Sequence, residues 1–280
     1  MKIKLLTAFT ASLFLFSCGE DVEKSATNND KSENVAEMDV PDLAEFEFYK
    51  ILINMPTPLQ ELLDMNVDEV AFKSELLAPV ENANQHESKD AIALNCGIYI
   101  VDMVYQAVYH ENKNLLLYTG VAHELSEKVG LDKFFDDMVN EQMKAKLENK
   151  DSLQFLVEKG LETMEQYLVD NKQLPIATQL LIGSWVETQY LLTQSILEQE
   201  EQKIAEDLKQ HIFAQREHLA NLLLLIHEVK DEAGLHDELA KLETLEASFT
   251  KIHESSEVNH DILVEVAKEI AEIRNDLLVM

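Results

Sequence analysis

Two stretches of this chain, 88–109 and 175–198, are strongly apolar along most of their length. The stretches around them carry Leu, Ile and Val mainly at three-and-four spacing. Both patterns predict helices, and ten breakers after Asp42 (six Gly, four Pro) are too few to punctuate short strands. The predicted fold is all-α, a multi-helix bundle of about nine or ten helices.

Local signals place the elements. Thr57-Pro58-Leu59-Gln60 combines an N-cap, a proline at the first helical position and a capping-box glutamine, and predicts a short helix to about Met65. A second helix is expected over about Asp68–Leu77, ending before Pro79. Ser88 opens the first apolar helix to about Tyr109. Asn112 or Asn114 opens one that ends with Gly130 as its C′ residue, and Asp132 caps another to about Glu148. Asp151 starts a helix to about Asp170, and Leu174-Pro175 precedes the second apolar helix. Glu198-Gln199-Glu200-Glu201 is either a joint or part of one continuous helix to about Lys230.

The last eighty residues change texture. Ile204, Leu208, Ile212, Gln215, Leu219, Leu222, Ile226 and Val229 form one stripe, and Leu263, Val266, Ile270, Ile273 and Leu277 another. Between them run Leu235, Leu239, Leu242, Leu245, Phe249 and Ile252, with turns at Gly234 and Ser255-Ser256. This spacing predicts a C-terminal segment of three antiparallel, coiled-coil-like helices packed on the core or extended as a partner-binding arm.

The N-terminus carries an address. Lys2 and Lys4 precede an apolar run from Leu5 to Phe16, too short to span a bilayer, and Ser17-Cys18-Gly19 follows. This reads as a lipoprotein signal peptide over 1–17 that leaves Cys18 as an acylated N-terminus, with two or more chains for stable membrane binding. Residues 18–42 are an acidic, polar tether with almost nothing to bury, reaching roughly 27 Å as a flexible coil. Residues 43–200 form the predicted helical core and 201–280 the C-terminal helices. The expected location is the cell envelope, at the outer membrane, on its periplasmic face or at the surface.

Charge narrows the partners. The formal charge is −30, and it moves to −32 when Lys2 and Lys4 are removed with the signal. A field of that sign repels phosphate, so nucleic acid is excluded as a partner; envelope proteins or a small ligand remain. Cys96 is the only thiol besides Cys18, so no disulfide can form within the mature chain.

Candidate chemistry is confined to the two apolar helices. Gly97-Ile98-Tyr99-Ile100-Val101-Asp102-Met103-Val104-Tyr105 and Gly183-Ser184-Trp185-Val186-Glu187-Thr188-Gln189-Tyr190 share glycine, aromatic, acid and tyrosine. Acid and tyrosine are three apart in each, on one helix face, where a hydroxyl can hold a carboxylate. Mid-helix glycines predict a close crossing. Tyr99, Asp102, Tyr105, Trp185, Glu187 and Tyr190 therefore form either a pocket or a satisfied polar network that fixes helix register. The rival to a binding or scaffolding protein is an enzyme using Asp102 or Glu187 as acid/base. His211 and His218 share a face, but Glu257-Val258-Asn259-His260 is the only E-x-x-H, so neither a metal site nor a cofactor is expected.

The segments F-Y-K-I-L-I-N-M-P-T-P-L-Q-E-L-L (48–63), L-L-A-P-V-E-N-A (76–83), A-L-N-C-G-I-Y-I-V-D-M-V-Y (93–105) and L-I-G-S-W-V-E-T-Q-Y (181–190) resemble a group of uncharacterised, all-helical lipoproteins of the Bacteroidota. The likeness spans about 45–200 and implies the fold and the anchor. It carries no activity and assigns no functional residue. Such proteins more often show Leu-Gly-x-Tyr-Gly where this chain has Cys96-Gly97-Ile98-Tyr99-Ile100.

Overall fold

The structure, a computed structural model, describes residues 49–52, 54–64, 70–131, 150–197 and 206–280. Among these residues the protein is all-α, with no strand. The elements are α1 (Pro58–Asp64), α2 (Lys89–Val108), α3 (Asn112–Val129), α4 (Lys150–Asp170), α5 (Leu174–Leu197), α6 (Glu206–Ala233), α7 (His236–Phe249) and α8 (His260–Leu278). Three short 3-10 turns, Ser74–Leu76, Val80–Asn82 and Ser255–Glu257, lie between them. The expected signal peptide, lipidation at Cys18 and tether, the helix expected over 132–148 and the stretch 198–201, read as a joint or as continuous helix, lie outside the described residues.

Helix ends follow local chemistry. Gln60 N–H donates to Thr57 Oγ1 (3.3 Å) and Thr57 N–H to Gln60 Oε1 (3.1 Å), a reciprocal capping box. Ala91 N–H donates to Ser88 Oγ at 3.0 Å. Gly130 takes φ +89° after α3, and Leu131 N–H reaches back to Ser126 O at 2.8 Å, so two last-turn carbonyls find donors.

At the centre, α2 crosses α5, and every residue from Ala91 to Val108 is buried. This helix is long and apolar enough to cross a membrane, but 94% of its apolar stretch is covered by the protein itself. The crossing is close because of two glycines. A methyl on Gly97 would overlap the Leu180 carbonyl oxygen, and one on Gly183 would overlap that of Leu94. Helix α3 covers another side of α2, while α6 and α8 pack on α5, and α7 on α6 and α8. The stripes read from the last eighty residues, from Leu208 onward, are buried at each position. Gln179 Nε2 ties these layers together by donating to Asp90 Oδ1 (2.8 Å) and Ala233 O (3.1 Å).

One expected element is different. Of the helix predicted over 68–77, residues 70–73 are not helical and 74–76 form only a 3-10 turn. The reason is tertiary: this segment's backbone groups bond to side chains of distant helices, which competes with any i→i−4 ladder.

Candidate functional site

The segment Lys73–Pro79 threads across α2, α5 and α8 as a strap, and the candidate site is built on it. Lys73 N–H donates to Tyr105 Oη (3.1 Å), and Ala78 N–H to Asp102 Oδ2 (2.9 Å). The carbonyl of Ala78 accepts from Tyr118 Oη (2.8 Å), and that of Pro79 from Tyr99 Oη (2.6 Å). Arg274, on α8, donates Nη2 to Leu76 O at 2.9 Å. Apart from the 3-10 turn at 74–76 the segment has no ladder of its own, so these side chains satisfy backbone groups that burial would otherwise leave costly.

Behind the strap lies an ionic centre. Arg274 closes as a fork on Glu187, Nε to Oε2 at 2.5 Å and Nη2 to Oε1 at 2.8 Å, and its guanidinium lies 4.1 Å from the centroid of the Tyr190 ring. Glu187 and Asp102 are both 0% exposed. Burial first, and the negative charge of Glu187 second, push Asp102 well above the ordinary carboxyl range. Asp102 Oδ1, the oxygen that does not accept from Ala78, has no hydrogen-bond partner among the described residues. Desolvation pushes the Tyr99 and Tyr118 phenols up as well, so both keep the protons they donate to the strap.

Of the residues singled out in the sequence, Tyr99, Asp102, Glu187 and Tyr190 converge on this centre. Tyr105 sits one helical turn further along, stacked on Phe72 with centroids 5.1 Å apart and bonded to Lys73. Trp185 does not join it. It lines a small cleft with Pro58 and Glu61, and its buried Nε1 has no partner among the described residues. The hydroxyl-to-carboxylate pairing suggested by the acid–tyrosine spacing is not formed: Tyr105 bonds the strap, and Tyr190 offers its ring face to Arg274.

A second polar cluster joins α1 to α6. Glu61, 6% exposed, lies 2.9 Å from His211 Nε2 and 3.4 Å from His218 Nδ1, and accepts from Gln215 Nε2 at 2.8 Å. Gln189 on α5 donates to Gln215 Oε1 at 2.8 Å. Burial alone would raise the Glu61 carboxyl, but the hydrogen bonds and charges of the two histidines outweigh it and hold it at about 2. Among the described residues no group of three His, Cys, Asp or Glu side chains is placed to hold a metal ion.

Sequence reasoning missed Arg274, Tyr118, Glu61 and the strap itself. Arg274 left one trace: it is one of only two arginines in the chain and sits at helical spacing from Ala267, Ile270 and Leu277, on the apolar face of α8. No protein-family model, curated protein or solved structure matches this chain.

Proposed function

We propose that the chain is a lipid-anchored binding or scaffolding protein of the cell envelope, acylated at Cys18 and held off the outer membrane by the tether 18–42. The observation that supports scaffolding over catalysis is the burial of the Asp102–Glu187–Arg274 centre, which is sealed from solvent and bonded to the protein's own strap. An acid/base site needs a carboxylate that substrate can reach, and both carboxyls are wholly covered. The coiled-coil-like reading of α6, α7 and α8 and the resemblance to lipoproteins of the Bacteroidota belong to the same proposal, as does location at the periplasmic face or the cell surface.

The test is affinity capture of the lipid-anchored protein from native membranes, with mass spectrometry of proteins and small molecules. Envelope proteins that co-purify in fixed ratio and are reduced with the Cys18→Ser form support the proposal. A stoichiometric small molecule turned over by the protein, with no protein partner, overturns it in favour of the enzyme.

A further inference from the structure

Basic side chains are scarce in this chain, 23 against 53 acidic ones, and only Arg216 and Arg274 among them are arginine. Surface pairing is the work of lysines, as in Lys241 with Asp276 (2.7 Å) and Lys251 with Glu265 (2.7 Å). Arg274 is consumed by Glu187. Arg216 is different: it makes no hydrogen bond or ion pair among the described residues, its Nε is buried without a partner, and its guanidinium lies 4.9 Å from the centroid of the Phe213 ring. An aromatic platform under an arginine fixes the plane of the fork while leaving its N–H groups free to take a carboxylate in two bonds.

The surroundings define that ligand. Arg216 opens onto a concave cleft of about 380 Å³ between α6 and α7, shared with Phe213, Glu217, Glu246 and the buried Phe249. This volume is at the small end of the range of about 300–1,000 Å³ for small-molecule sites. A simple anion is disfavoured twice, by Glu217 and Glu246 in the same cleft and by the net charge of −30. A simple cation would face Arg216. A molecule with no net charge meets neither penalty if its carboxylate lies on Arg216, its ammonium on the two glutamates and an apolar body on the phenylalanines.

We infer that the cleft between α6 and α7 is a binding site for a small zwitterion of amino-acid type with an apolar side chain, its carboxylate held by Arg216. The site stands independently of the lipid anchor and of the network on α2 and α5.

The experiment is calorimetry on the full chain in detergent with L-phenylalanine, the carboxylate-only 3-phenylpropanoate and the amine-only 2-phenylethylamine. Saturable binding is expected to be tightest for the amino acid and to weaken at least about tenfold in Arg216→Ala, because a charge-assisted fork is lost. Far-UV dichroism and the unfolding midpoint of the variant serve as controls. Chemical-shift mapping on the unaltered protein locates the bound amino acid without any variant, with shifts expected at Phe213, Arg216 and Glu246. Failure of L-phenylalanine to saturate, equal affinity for either single-charge probe, unchanged binding in a folded Arg216→Ala, or shifts elsewhere overturns the inference.

Discussion

Arg274 and Glu187, 87 residues apart in sequence, close on each other through two bonds from one edge of the guanidinium, Nε and Nη2, in an interior where the arginine is 5% and the glutamate 0% exposed. The Tyr190 ring lies against the guanidinium, and Nη2 also donates to the Leu76 carbonyl. The pair thereby joins α5 to α8 and fastens the strap that covers them both.

Asp102 gives this centre a pH dependence whose sign follows from its raised folded value. In the unfolded chain the group loses its proton near pH 4, while the folded protein keeps it, so stability declines as pH rises from about 4 toward the folded value. Asp102→Asn supplies a donor and an acceptor at all pH values. Its unfolding midpoint, followed from pH 5 to 9, is expected to fall less than that of the parent protein. An identical decline in both proteins would show that Asp102 does not carry the buried proton.

Glu61 has the opposite sign. Its folded carboxyl lies at about 2, below the ordinary value near 4.3, so its contribution is present above the ordinary value and fades as pH falls toward 2. Acid unfolding of Glu61→Gln is expected to lack this component, worth roughly 2–3 kcal/mol, and to start from a lower stability at pH 6. Superimposable acid transitions would remove the link between α1 and α6 through His211 and His218.

Much of the fold was legible locally. Thr57 and Gln60 cap each other, Ser88 caps α2 and Gly130 ends α3, because capping is settled within a few residues. The spacing of Gly97 and Gly183 also carried a tertiary message, since only a hydrogen fits where each backbone meets the other. The strap was not legible: its 70–77 pattern has helical spacing, but Tyr105 and Asp102 on α2 and Arg274 on α8 bond its backbone and hold it off an α-helical course. For the same reason the candidate site was read as two tyrosine–carboxylate pairs, when the partners of the acids came from α8 and from main chain.

Cys96 tests the burial of α2. Desolvation pushes its thiol up to about 12, and the sulfur faces the Ala122 carbonyl at 3.9 Å. Alkylation of the native protein at pH 8 is expected to be slow and to accelerate sharply on denaturation, since the thiolate is the reactive form. Rapid native labelling would place this face of α2 at the surface.

Cys18 tests the anchor. Cys18→Ser is expected to abolish incorporation of labelled fatty acid and to leave a species that is unprocessed or released from membranes. A variant that still takes up label and still sediments with membranes would refute lipidation at this position.

The closed centre itself is tested most directly by a double-mutant cycle of Glu187→Gln and Arg274→Met, read by denaturant unfolding at pH 7. Each single change strands a buried charge or polar group and is expected to cost about 3–5 kcal/mol, while the double variant recovers part of that loss, giving a coupling of about 0.5–3 kcal/mol. Two small, strictly additive losses would contradict the account, because they would mean that Glu187 and Arg274 are not partners in a sealed interior.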